Sequence, residues 1–119
     1  MGRLVRGVIM KEESPFACDM AAIASEQRGA HIATIEKLFH SVKSSRELSD
    51  GYAFELPNEP DVLLTAAEFI VNERLCCPFF DFALEVERER GPVWLRLTGR
   101  EGVKPFIMAE VGAHLVRLS

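Results

Sequence analysis

A chain of 119 residues is one domain by length, large enough to bury a real core. Its 48% hydrophobic and 27% charged residues are those of an ordinary globular protein, and a net charge of −4 gives no electrostatic basis for binding nucleic acid or an anionic membrane. No apolar run approaches the ~20 residues of a membrane span, and residues 1–10 lack the apolar segment and cleavage site of a signal peptide.

Residues 3–10 read as a short strand or a flexible arm, followed by a polar connector ending at Pro15. Over residues 19–44 apolar positions recur at helical spacing, with Ile32, Ile35, Leu38, Phe39 and Val42 on one stripe and a possible break at Gly29. Ser44-Ser45 and Ser49-Asp50-Gly51 punctuate the chain. Residues 51–57 alternate, placing Tyr52, Phe54 and Leu56 on one face of a strand that Pro57 closes. A second helix follows with Asp61 as its expected N-cap, and Pro78 disfavours helical geometry at Cys77, so that helix should end at 75–77.

Phe80, Phe82, Leu84 and Val86 alternate with polar or small residues, and Val93, Leu95 and Leu97 supply a hairpin partner. Residues 103–118 close the chain as a helix, with Pro105 in its first turn and Val103, Ile107, Val111, His114 and Leu118 on one side. The order helix-strand-helix-strand-strand-helix predicts a small single α+β domain, with an antiparallel hairpin in a small sheet and helices packed on one face. Open sheet edges make a homodimer the expected assembly.

Chemistry concentrates in Glu73-Arg74-Leu75-Cys76-Cys77-Pro78-Phe79-Phe80, which holds two of the three cysteines. An odd number of cysteines suits a reducing compartment better than a disulfide framework, so a cytoplasmic protein is expected. On a helix, Glu73 lies three residues before Cys76 and four before Cys77, so all three approach one face. A carboxylate bordering an apolar stripe requires a partner, and Arg28, Arg74 and Arg96 are the candidates. Two thiols and a carboxylate within a turn suit a soft ion, Zn(II), Cu(I), Hg(II) or trivalent arsenic, with Cys18 as the further ligand. His31 and His40 are nine residues apart and cannot both join one site.

Against this, cysteine often packs as a small hydrophobe, and adjacent cysteines are not a standard zinc spacing. The negative end of a helix and Glu73 should both raise the thiol pKa, which weakens a nucleophilic reading and leaves metal binding ahead. Phe79, Phe80, Phe82 and Trp94 read as core before pocket lining, Asp81 as a solvated strand residue before a third acid, and His114 as semi-buried. No Gly-rich phosphate loop, serine elbow or H-E-x-x-H occurs, so no nucleotide cofactor is indicated.

Cys18 with Arg28, Asp50 to Phe54, Glu73 to Phe82 and Val93 to Gly99 together resemble a family of small bacterial proteins. That family shares an early Cys, a Glu-Arg-x-Cys-Cys-Pro-Phe segment and a Trp-Leu-x-Leu-Thr-Gly strand. The resemblance covers about residues 16–110; this chain departs from it in having Asp19-Met20 where Thr-Leu is common. It implies that Cys18, Glu73, Cys76 and Cys77 belong together, and it implies no particular activity.

Three readings follow. The first is binding of a soft metal or metalloid through Cys18, Cys76 and Cys77, with Glu73 as a ligand or a neighbouring base. The second is a thiol-dependent redox or transferase enzyme with Cys76 or Cys77 as nucleophile. The third is a dimeric interaction module with core cysteines.

Overall fold

The computed structural model describes residues 2–5, 8–11 and 14–115. The N-terminal segment supplies two strands, β1 (Gly2–Val5) and β2 (Val8–Lys11), paired antiparallel with Leu4 opposite Ile9. A 3-10 turn at Met20–Ala22 then precedes the first helix, α1 (Ser25–His40). This helix starts later than its apolar spacing suggests, because the Asp19 side chain takes the Ala21 N–H at 3.1 Å and Ile23 and Ala24 are extended. Arg28 fixes this entry by donating from Nε to the carbonyls of Met20 (2.9 Å) and Ile23 (3.0 Å). Gly29 does not break α1.

The buried face of α1 is formed by His31, Thr34, Leu38 and Phe39, whereas Ile32 is 48% exposed. Leu38, Phe39 and Val42 of the expected stripe are buried and Ile35 is half-buried; Ile32 alone falls off it, its place on the buried face taken by His31 and Thr34. Apolar periodicity could not register a face whose first members, His31 and Thr34, are polar.

Strand β3 (Ser44–Leu48), where the sequence suggests only punctuation, forms a hairpin with β4 (Gly51–Leu56) across Ser49-Asp50. Its middle residues are exposed and Ser44 Oγ donates to Glu55 at 2.8 Å, so this edge strand lacks the apolar alternation that announces a half-buried one. Gly51 is obligatory for a simpler reason: a Cβ there would stand 2.0 Å from the Leu97 carbonyl oxygen.

Helix α2 (Pro60–Cys76) opens with Pro60 in the first turn and Glu59 at the cap position; Asp61 lies inside the helix rather than capping it. The helix ends where Pro78 requires, and buries Val62, Ala66, Phe69, Glu73 and Cys76. Strands β5 (Asp81–Val86) and β6 (Val93–Thr98) form the expected hairpin, with Leu84 opposite Leu95. The sheet is antiparallel in the order β3-β4-β6-β5, four strands with β3 and β5 at the edges. The last helix, α3 (Val103–Val111), is shorter than expected and passes into a 3-10 turn at Gly112–His114; Leu118 lies outside the described residues.

The α+β architecture and the element order agree with the sequence reading, with β3 as the addition. The core lies between helices and sheet, where Phe39 meets Phe54 and Phe69 edge to face, each at 5.3 Å. Phe69 also contacts Phe82 at 6.2 Å and stacks beside His31 at 6.0 Å. Phe69→Ala should therefore destabilise the fold by about 3–5 kcal/mol, read as a lower urea midpoint with an unchanged slope.

Candidate metal centre

Three segments converge on the end of α2. Cys76 is the last helical residue, and Cys77 leaves the helix at φ −128° and ψ 69° while its N–H still bonds the Glu73 carbonyl at 2.8 Å. That departure lets two neighbouring side chains share one side, with their sulfurs 3.7 Å apart. The separation is far beyond a disulfide bond. It is close to the roughly 3.8 Å between two thiolates on one tetrahedral ion with metal–sulfur bonds of about 2.3 Å.

The second segment carries Cys18. The Asp19 N–H bonds the Cys76 carbonyl at 2.8 Å, tying this stretch to the helix end. Phe16 anchors it further, edge-on to Phe79 at 5.1 Å and stacked on Phe106 at 6.3 Å, with the Arg100 guanidinium 4.1 Å over its ring. Gly102, at φ +98°, makes room for that ring: a Cβ would stand 3.0 Å from Phe16 Cε2. The sulfurs of Cys18, Cys76 and Cys77 consequently lie within 4.8 Å of one another, with Cys18 exposed and the other two buried. Three such cysteines can hold a metal ion.

Behind the thiols lie the acids and a base. The carboxylate of Glu73 is buried and accepts from His31 Nε2 at 2.8 Å and from the Cys76 thiol at 3.4 Å, both through Oε1. The anticipated arginine partners are elsewhere: Arg28 caps the 3-10 turn, Arg96 pairs with Glu85 at 2.9 Å, and Arg74 is exposed. On the other side, the Cys77 thiol donates to Glu110 Oε2 at 3.4 Å. The ligand atoms of His31, Glu73 and Cys76 form one close trio, and those of Glu73, Cys77 and Glu110 another. Glu73 Oε2 and His31 Nδ1 are buried and meet no hydrogen-bond partner among the described residues.

His31 and Glu110 are the site residues that sequence reasoning missed. Each had a signal: His31 begins the i, i+3, i+7 series with Thr34 and Leu38, and Glu110 falls seven residues after Val103 on α3. His40 is exposed, and Asp81 is exposed on β5, as read. Phe79 and Phe80 are core, packed at 4.9 Å, and Trp94 is buried beneath the Arg46 guanidinium at 4.7 Å, donating to Glu87 at 3.1 Å.

Electrostatics differ sharply between the thiols, which corrects the expectation that all would be raised. The hydrogen bond from Cys77, followed by one from His31, outweighs burial and lowers Cys76 to about 6. Its neighbour moves the other way: the bond to Cys76, then burial, raises Cys77 well above the thiol range. Burial, then Cys76, pushes Cys18 up to about 12. For His31, burial would lower the pKa, but Cys76 and Glu73 raise it to about 9. Burial likewise opposes ionisation of Glu73, and the His31 bond overrides it to hold the carboxyl below its usual value. Glu110, by burial and then by its neighbour Glu73, is raised to about 9. The sequence could not show that Cys77 and His31 would both hydrogen-bond Cys76, and those two bonds, the Cys77 one first, reverse the sign there.

No family model, curated protein or solved structure matches the chain, so the site is read from its own geometry.

Two titrations follow. A single thiolate should appear in ultraviolet absorbance with a midpoint near pH 6, and His31→Gln should move it up toward the ordinary thiol range; an unmoved midpoint would remove His31 from the argument. For Glu110, the folded state holds a proton that the unfolded chain releases at an ordinary carboxyl pKa. Its stabilising contribution is full below that pKa and is lost as pH rises through about 9. His31 adds a loss of the same sign, and Cys76 one of opposite sign, present above the thiol range and lost as pH falls through about 6. Denaturation midpoints of Glu110→Gln should therefore exceed those of the parent protein at pH 8 more than at pH 5.

Proposed function

We propose that the protein binds one soft metal or metalloid ion through Cys18, Cys76 and Cys77. The convergence of three sulfurs from two separate segments within 4.8 Å carries this reading. The buried His31–Glu73 pair beside them supports it, because it holds the Cys76 sulfur in place from behind. Glu73 then acts behind the ligands, holding Cys76 and His31 in place. Binding tightens with pH for a divalent ion, since coordinated thiols lose their protons. A reducing compartment such as the cytoplasm keeps the three thiols free, and a second copy paired along the β3 or β5 edge completes the proposal.

A second reading has its own observation. Cys76, lowered to about 6 beside a histidine raised to about 9, is an activated nucleophile with two further thiols at hand. A thiol-dependent redox or transferase enzyme would use it so. The third reading, core cysteines in an interaction module, rests on the full burial of Cys76 and Cys77.

Native mass spectrometry of the reduced protein with Zn(II), Cu(I), Hg(II) and As(III) should show one ion per chain for at least one of them, lost in Cys76→Ser/Cys77→Ser with circular dichroism unchanged. Unaltered stoichiometry in that variant would sink the metal reading. Fast alkylation of Cys76 at pH 7 in a protein that takes up no ion would install the enzyme reading, and thiols inert until unfolding would install the third.

A further inference from the structure

The ion's identity can be narrowed from the shape of the donor set. Metal–sulfur bonds of about 2.3 Å place two sulfurs about 4.6 Å apart on a linear ion and about 3.5 to 3.8 Å apart on a pyramidal or tetrahedral one. Cys76 and Cys77, at 3.7 Å, suit the second pair of geometries and are pinched too close for a linear two-coordinate ion. A tetrahedral ion wants a fourth donor, and structural zinc sites take it from the protein. Among the described residues, no histidine nitrogen or carboxylate oxygen joins the three sulfurs within the same 4.8 Å span. His31, Glu73 and Glu110 each approach one or both of the buried cysteines, without closing on Cys18.

Charge points the same way. Three thiolates on a divalent ion leave one net negative charge beside the carboxyls of Glu73 and Glu110, where Cys76, Cys77 and Glu73 are buried and the neighbouring His31 is already paired with Glu73. A trivalent centre bound to three thiolates is neutral. The approach to Cys18 also favours an uncharged ligand. A cavity of about 350 Å³ opens there between Pro15, Cys18, Asp19, Leu75 and Pro78; its one charged lining residue is the acid Asp19, with no lysine or arginine, so among arsenic species it admits the neutral hydroxide over an oxyanion.

We infer that the three-sulfur site takes a trivalent metalloid, presented as its neutral hydroxide, of which arsenous acid is the type. The inference rests on the metal-binding reading and makes it specific. Three sulfur–arsenic bonds form and three arsenic–oxygen bonds break; each departing hydroxyl leaves as water with the hydrogen of the thiol that replaces it. Arsenic stays trivalent throughout, so no oxidant or reductant enters.

The test is arsenite added to the reduced protein, with native mass spectrometry, a count of free thiols and competition by Zn(II). One arsenic per chain is expected, with a mass gain of arsenic less three hydrogens and all three thiols protected. Cys18→Ser should weaken arsenite binding about a hundredfold, at least the loss that removal of an outer partner brings to a metal site. Phenylarsine oxide, which offers arsenic only two exchangeable positions, checks that variant: undiminished binding through Cys76 and Cys77 shows the pair intact, so that the arsenite loss belongs to the third sulfur. Arsenic held with only two hydrogens lost, or displaced readily by Zn(II), overturns the metalloid inference while leaving a metal site. A protein that takes up none of these ions overturns both.

Discussion

An imidazole and a carboxylate joined at 2.8 Å with no exposed side-chain surface are the contact on which the rest of the structure depends. Glu73 lies among Phe69, Cys76 and Cys77 in the layer between helices and sheet, where an unpartnered carboxylate would cost several kcal/mol in lost hydration. The pairing makes that burial tolerable, and because His31 lies on α1 and Glu73 on α2, it fixes the relative rotation of the two helices. The Thr34 hydroxyl bonding Glu68 at 3.0 Å repeats the link one turn along. With that rotation set, the Glu73 carboxylate faces the last turn of its own helix and receives the Cys76 thiol. Site and helix packing thus share one constraint.

From it follows a graded set of thiols. Cys76 lies against the positive member of the pair, Cys77 against the raised acid Glu110, and Cys18 at the mouth beside neither. A ligand arriving from solvent meets the exposed sulfur first and the two buried ones deeper in. Metal capture and nucleophilic chemistry both profit from such an order, which is why the two leading readings differ in what arrives more than in how the residues are arranged.

The fold was legible wherever the period of apolar residues matched the element they form. Strands β4, β5 and β6 alternate, and α2 stops at the proline that forbids its continuation. Strand β3 escaped because an edge strand with a wet middle needs no alternation, and in α1 only Ile32 was misplaced, because polar residues head the buried face. Three of the site's members, Cys76, Cys77 and Glu73, were legible as neighbours on one helix turn. That Cys18 reaches them depends on main-chain bonding and aromatic packing, which spacing does not encode. His31 and Glu110 stayed hidden for a related reason: local sequence cannot say which of several buried-face polar residues will meet across two helices.

Gly102 shows how far the site's requirements spread beyond its donors. It contributes no ligand, no charge and no hydrogen bond from a side chain, yet its left-handed backbone and missing Cβ leave the space in which Phe16 seats, two residues before Cys18. A side chain there would be strained at this backbone conformation and would press on the ring that seats the segment carrying Cys18. The protein therefore has a position where backbone conformation, and no donor atom, governs how the segment bearing Cys18 lies against Cys76 and Cys77.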